Sequence, residues 1–169
     1  DLMEEINELY ESSEQTLIEL ELRPEDNELQ RALFRSIHTI KGDLGLVNFS
    51  PMIPLLQHVE DLLDYLRKGQ VAYTSTMSDL VLLTMDRVKA FVESVMANGK
   101  AEYDDNLHNQ LVLAIGRVTP ENTSEHEKRL TEAVLLLNPA LDIVTDEDDP
   151  QNVQIKPPTL AATGIPKDI

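Results

Sequence analysis

Along most of the chain, apolar residues return every three or four positions, the spacing that gathers side chains on one face of an α-helix. Leu2, Ile6, Leu9, Ser13, Leu17 and Leu20, with Tyr10 beside them, mark a first helix over 1–22 whose outer face is mostly Glu. Arg23-Pro24-Glu25-Asp26-Asn27 reads as a turn, with Pro24 stopping that helix. A second helix over 28–46 carries Leu29, Leu33, Ile37, Ile40 and Leu44 on one stripe. Ser50-Pro51 reads as an N-cap followed by proline at the first helical position, opening a third helix over 51–68. Ile53, Leu55, Leu56, Val59, Leu62, Leu63 and Leu66 form its apolar face, and Gly69 ends it. Pro54 still lies in the first turn, where its missing donor costs little.

A fourth helix over 76–98 presents Leu80, Leu83, Val88, Phe91, Val92, Val95 and Met96, and Asn98-Gly99 closes it. A fifth over 104–118 presents Leu107, Leu111, Leu113, Ala114 and Val118 before Thr119-Pro120. Ser124-x-x-Glu127 is a capping-box pattern, so a sixth helix is expected over 124–137, closed by Asn138-Pro139. Strand alternation, a Gly-rich phosphate loop and a fixed repeat are all missing from the sequence.

The pattern predicts an all-α protein, an antiparallel helical bundle with a four-helix core, an extra C-terminal helix and an extended tail. Residues 1–118 form the bundle, 119–139 the additional helix, and 140–169 an acidic and then Pro-rich arm or linker. Asp142 to Pro150 is the acidic run, and Lys156 to Ile169 is rich in Pro, Thr and Ala with little to bury. The Pro-rich ending suggests that a further domain follows, and the missing initiating Met suggests a fragment.

Charge narrows the partners. With 31 acidic and 14 basic residues the formal net charge is −17, too negative to displace counterions from nucleic acid or to favour an anionic membrane. There is no cysteine, which excludes disulfides, thiolate metal sites and cysteine nucleophiles. No apolar run approaches the roughly 18–20 residues that span a bilayer, so a soluble, cytoplasmic protein is the default expectation.

The charge is also uneven. Between Leu29 and Gly42 the second helix carries three basic residues and no acidic one. Arg31, Arg35, His38, Lys41, Gly42 and Gly45 share a solvent-facing strip beside the apolar stripe. Glycine costs about 1 kcal/mol against alanine inside a helix, so two on one strip need a reason. One reason is chemical: His38 accepts a phosphoryl group, Lys41 neutralises its oxygens, and bare backbone at Gly42 and Gly45 admits a partner for in-line transfer. The bland reading is a surface histidine that happens to have a lysine neighbour.

His38-Thr39-Ile40-Lys41-Gly42, preceded by Phe34-Arg35 and followed by a helix bearing Gln57, His58 and Glu60, resembles the histidine phosphotransfer (HPt) domain. It is most similar to the N-terminal phosphotransfer domain of chemotaxis-type histidine kinases, over about residues 1–118. The resemblance implies that the chain carries phosphate on His38 between a histidine kinase domain or a phospho-aspartate and an aspartate of a response-regulator receiver domain. It implies no cofactor in this chain, because ATP and its metal belong to the kinase. It also implies that Gln57 and Glu60, 19 and 22 residues after His38, orient the ring. Arg35, Gly42, Gly45, Leu46 and Val47 would border the docking surface.

Two positions depart from the family pattern. Asp43 stands where a small neutral residue is usual, bringing a negative charge near the lysine, and Asn48 replaces a glycine before Phe49. His58, His108 and His126 read as ordinary surface or boundary histidines. Neither a His-x-x-x-His nor a Glu-x-x-His pair is present to suggest a metal centre, and Asp146 to Asp149 lack the spacing and glycine of a calcium loop. Two other functions fit the residues: an HPt-fold docking module that carries no phosphate, and a structural or metal-binding helical bundle.

Overall fold

The apolar stripes turn inward together. Leu33, Ile37, Ile40 and Leu44 are at most 1% exposed, and Ile6, Leu17 and Leu20 meet them from the first helix. The computed structural model describes residues 1–46, 49–121, 123–138 and 142–143. Within them run α1 (Leu2–Leu22), α2 (Asn27–Leu46), a 3-10 turn (Ser50–Met52), α3 (Ile53–Arg67), α4 (Ser75–Asn98), α5 (Asp105–Gly116) and α6 (Thr123–Leu137). The fold is an all-α helical bundle with no strand among the described residues.

Local chemistry explains the boundaries. Asp1, Thr74 and Asp104 accept backbone N–H bonds at the starts of α1, α4 and α5. Asp26 accepts from Glu28 and Leu29 at 2.9 and 3.2 Å, so the Pro24 turn also launches α2. Gly69 and Gly99 follow α3 and α4 at φ of 75° and 82°, a conformation that a side chain would oppose.

Neighbouring helices run in opposite directions. Glu21 near the end of α1 accepts from Ser75 at the start of α4 at 3.0 Å, while the Lys89 ammonium lies 4.3 Å from the Tyr10 ring centre. Residues Thr76 to Leu82 of α4 are buried without a break, because α4 packs on α1, α3 and α6. Leu130, Ala133, Val134 and Leu137 of α6 join the same core as α1 to α4. The helix expected as an addition to the bundle therefore shares its interior.

Several positions differ from the sequence reading. Ser50 caps nothing: a 3-10 turn fills 50–52, and α3 starts at Ile53 with Pro54 in its first turn. The cause is the burial of Phe49 (4% exposed) and Met52 (0%), which pulls this connection tight against the core. Met96 (54% exposed) lies in the last turn of α4, and Leu113 (59%) sits about 200° around the helix from buried Leu111, so neither joins the buried face.

His108 and His126 are buried, not surface, residues. His108 Nε2 lies 2.7 Å from the Pro51 carbonyl and its Nδ1 lies 3.2 Å from Arg87 Nη2. Arg87 in turn donates to Asp142 at 2.8 Å, and Asp142 accepts the Asp104 backbone N–H at 2.8 Å. Asp142 and Ile143 (3% exposed), assigned by the sequence to a solvated arm, are thus pinned to α4 and α5. The remainder of the acidic run and the Pro-rich segment lie outside the described residues.

Candidate functional site

The strip of α2 beside the core stripe is displayed as its spacing demands. Arg31, Arg35, His38, Gly42 and Gly45 are exposed and Lys41 is half-buried at the edge nearest α3. The His38 side chain is 62% exposed. Its Nδ1 lies 3.0 Å from Oε2 of Glu60, which is only 12% exposed on α3. Lys41 Nζ reaches the same Glu60 oxygen at 3.0 Å, so one carboxylate oxygen ties both cationic-capable side chains.

That geometry assigns the ring nitrogens. An ionised carboxylate only accepts hydrogen bonds, so a neutral imidazole must carry its proton on Nδ1. Nε2 is left with its lone pair, on the side of the ring away from Glu60. A nucleophilic nitrogen is therefore presented to solvent, with an ammonium group held one helical turn away.

Gln57 departs from its expected contact. Its Oε1 accepts from Lys41 at 2.8 Å and its Nε2 donates to Asp61 at 2.9 Å, so it holds the lysine and not the imidazole. Of the two α3 residues, Glu60 alone meets the ring. Lys41 is thus suspended between Gln57 and Glu60 and kept 20% exposed, with its ammonium aimed along the α2–α3 seam.

The glycines are not required by the backbone. A Cβ added at Gly42 or Gly45 meets nothing within 4 Å, and neither residue has a positive φ. Asp43, the suspected electrostatic intruder, turns the other way. It lies toward Glu5 of α1, and the nearness of the Asp43 carboxylate pushes the Glu5 carboxyl above its usual range. Asp43 faces α1 while Lys41 faces α3, so its charge is directed away from the lysine. Leu46 ends α2, but its side chain, and the whole of Val47 and Asn48, lie outside the described residues.

Two contacts escaped the sequence reading of the site. The Phe34 ring is nearly parallel to that of His38, stacked with 6.2 Å between centroids and 7° between planes. The Arg67 guanidinium sits 4.4 Å from the Phe34 ring centre. Phe34 was visible only as part of the motif around His38. Nothing in the periodicity of α3 announces that Arg67, at its last residue, folds back over α2. Among the described residues, no group of three or more His, Asp or Glu side chains is placed to hold a metal, and no helix is long and apolar enough to cross a membrane.

Comparison with known proteins adds independent findings. The family model described as the Hpt domain matches residues 1–91, which include the whole His38 network. The chain is 32% identical to the sensor histidine kinase CheAY of Helicobacter pylori over 136 residues, covering 79% of this chain and 17% of that protein. It is 35% identical to the chemotaxis protein CheA of Halobacterium salinarum over 88 residues, 52% of this chain and 13% of the relative. Among solved structures, the CheA phosphotransferase domain from Thermotoga maritima is similar with a TM-score of 0.54 and 34% identity, covering 56% of this chain and 90% of that domain. The chain spans less than a fifth of the length of these curated relatives.

Proposed function

The chain belongs to the Hpt domain family, and we propose that it carries a phosphoryl group on Nε2 of His38 in a two-component phosphorelay. One observation bears most of the weight: an exposed imidazole whose Nδ1 is bound 3.0 Å from a nearly buried carboxylate. In the forward step the Nε2 lone pair attacks phosphorus while the bond to the leaving group breaks. The donor is the ATP γ-phosphoryl held by a histidine kinase domain, or a phospho-aspartate. In the return step an aspartate oxygen of a receiver domain attacks the same phosphorus and the N–P bond breaks, restoring the neutral imidazole.

Each residue has a role in this reading. Glu60 fixes the tautomer and stabilises positive charge on the ring as the N–P bond forms. Lys41 neutralises phosphoryl oxygens, with Gln57 holding its position. Gly42 and Gly45 let a partner backbone approach, and Arg35 adds positive potential to a surface that meets an acidic receiver site. Leu46 belongs to the same docking border. Nucleotide and metal are held by the partner or by another part of a longer polypeptide, so the chain itself needs no cofactor. The setting is cytoplasmic, with neither nucleic acid nor membrane as a partner. Residues 1–118 form the phosphotransfer unit and α6 buttresses it, with Asp142 and Ile143 anchored against the bundle.

Mass spectrometry after incubation with phosphoramidate tests the assignment. The wild-type chain gains one acid-labile phosphoryl group, and His38→Gln gains none. Equal labelling of the variant removes His38 from the reaction. Receiver binding without any labelling of wild type would favour a docking module that carries no phosphate.

A further inference from the structure

A single hydrogen bond at Nδ1 leaves a surface imidazole free to rock about that bond. In-line attack needs the Nε2 lone pair aimed within a narrow cone, and small misplacements are costly. The structure supplies a second restraint. Phe34 stands one turn before His38 on α2, and its ring runs parallel to the imidazole with an offset. Phe34 is itself half-buried against the core on one side. The Arg67 guanidinium lies over the ring, 4.4 Å from its centre, and Arg67 is fixed by a 2.6 Å bond to Asp64, whose other carboxylate oxygen meets Lys68 at 2.8 Å.

We propose that Phe34 is a positioning residue for His38, and that Arg67 clamps Phe34 in place. The inference rests on the phosphotransfer reading above. Asp64, Arg67, Phe34 and His38 make a second bridge from α3 to α2, one turn from the Glu60 link. Glu60 sets which nitrogen is bare; Phe34 sets where it points. The cation–π contact is weak at such an exposed place, enough to hold a ring but too little to hold the fold.

Phosphoramidate labelling and 15N spectra of the His38 ring, on the full 169-residue chain, test this. In Phe34→Leu the initial labelling rate should fall about tenfold, on the order expected for loss of alignment. Its ring signals should show faster motion with the tautomer kept by Glu60, while the melting temperature stays within a few degrees of wild type. Phe34→Tyr should restore both rate and spectrum. Arg67→Ala, which removes the contact on Phe34 but leaves the core alone, should lower the rate by a smaller factor, with Arg67→Lys intermediate. A Phe34→Leu chain that labels at the wild-type rate overturns the proposal, as does a slower one whose ring spectrum is unchanged. A wild-type chain that takes up no phosphoryl sinks the phosphotransfer reading instead. The ring spectra of Phe34→Leu and Arg67→Ala would still decide whether Phe34 orients His38.

Discussion

Two groups of side chains in this bundle use the same three ingredients to opposite ends. On α2 and α3, His38, Lys41 and Glu60 combine an imidazole, a cation and a carboxylate. On α4, α5 and the segment after α6, His108, Arg87 and Asp142 do the same. His38 keeps one nitrogen bonded and the other bare, with 62% of its side chain exposed. His108 is 6% exposed and spends both nitrogens, one on the Pro51 carbonyl and one on Arg87. The first arrangement has an unused lone pair and solvent around it; the second has neither. The difference lies in the count of satisfied atoms and not in the residue types, which is why composition alone cannot separate a reactive histidine from a structural one.

The largest effect that would test this contrast is on stability. Arg87 is 3% exposed at its side chain, so Asp142→Ala leaves a buried guanidinium short of its carboxylate. Breaking a buried pair in this way costs roughly 3–5 kcal/mol, with the lower end expected here because Asp142 retains some access to water. His38→Gln, on the surface, should change stability by no more than about 0.5 kcal/mol while abolishing labelling. Urea unfolding of both variants checks the pair of outcomes. If Asp142→Ala unfolds like wild type, the anchored segment contributes nothing and the second cluster is decoration.

Acid titration should sharpen the same contrast. Burial pushes His108 below its ordinary value, and the Arg87 charge adds to this against the pull of the Pro51 carbonyl. The folded protein therefore prefers neutral His108 more strongly than the unfolded chain does. This contribution is fully present above about pH 6.5, the unfolded value, and is lost as pH falls through the lower folded value. Asp142 follows further into acid. Burial opposes its charge, but the Arg87 and Asp104 bonds outweigh that and hold the carboxyl below its usual range. Its contribution is present above about pH 3.9 and is lost as pH drops through the depressed value. Denaturation midpoints followed from pH 8 to 3 should fall in two stages, and His108→Gln should remove the first. A variant with the wild-type acid profile would show that His108 is not the group responsible.

How much of this was readable beforehand depended on distance along the chain. The α2 strip was legible because residues three and four apart on one helix have no choice but to share a face. Helix ends at Gly69 and Gly99 were legible because their backbone conformation is local. Glu60 and Gln57 entered through a resemblance to a known pattern; periodicity shows that they share a face of α3 but not which one meets His38. The link from Phe34 to Arg67 crosses 33 positions and depends on the register of α2 against α3, which no spacing within either helix encodes. Asp142 was hidden more deeply. It opens an acidic run, and only the packing of α5 and α6 on the bundle carries it to Arg87, 55 residues earlier. Buried polar pairs between distant elements leave no periodic trace.

The smallest expected effect runs opposite in sign to the others. Gly42 lies within α2 at a helical position with open space where a Cβ would go. Gly42→Ala should therefore stabilise the isolated chain, by about 0.4–1 kcal/mol, because alanine loses less backbone freedom on folding. If the fold alone governed this position, alanine would be the better residue. The glycine beside His38 makes sense when something must approach the helix backbone more closely than a methyl group permits. In that case Gly42→Ala keeps wild-type labelling by phosphoramidate, which is small, while transfer to or from a receiver domain slows. The two assays run on one variant separate the chemistry of the imidazole from the access of a partner. A Gly42→Ala chain that is more stable and exchanges phosphate with a receiver at the wild-type rate would show that the bare backbone serves no approach, and would move the docking surface elsewhere on the bundle.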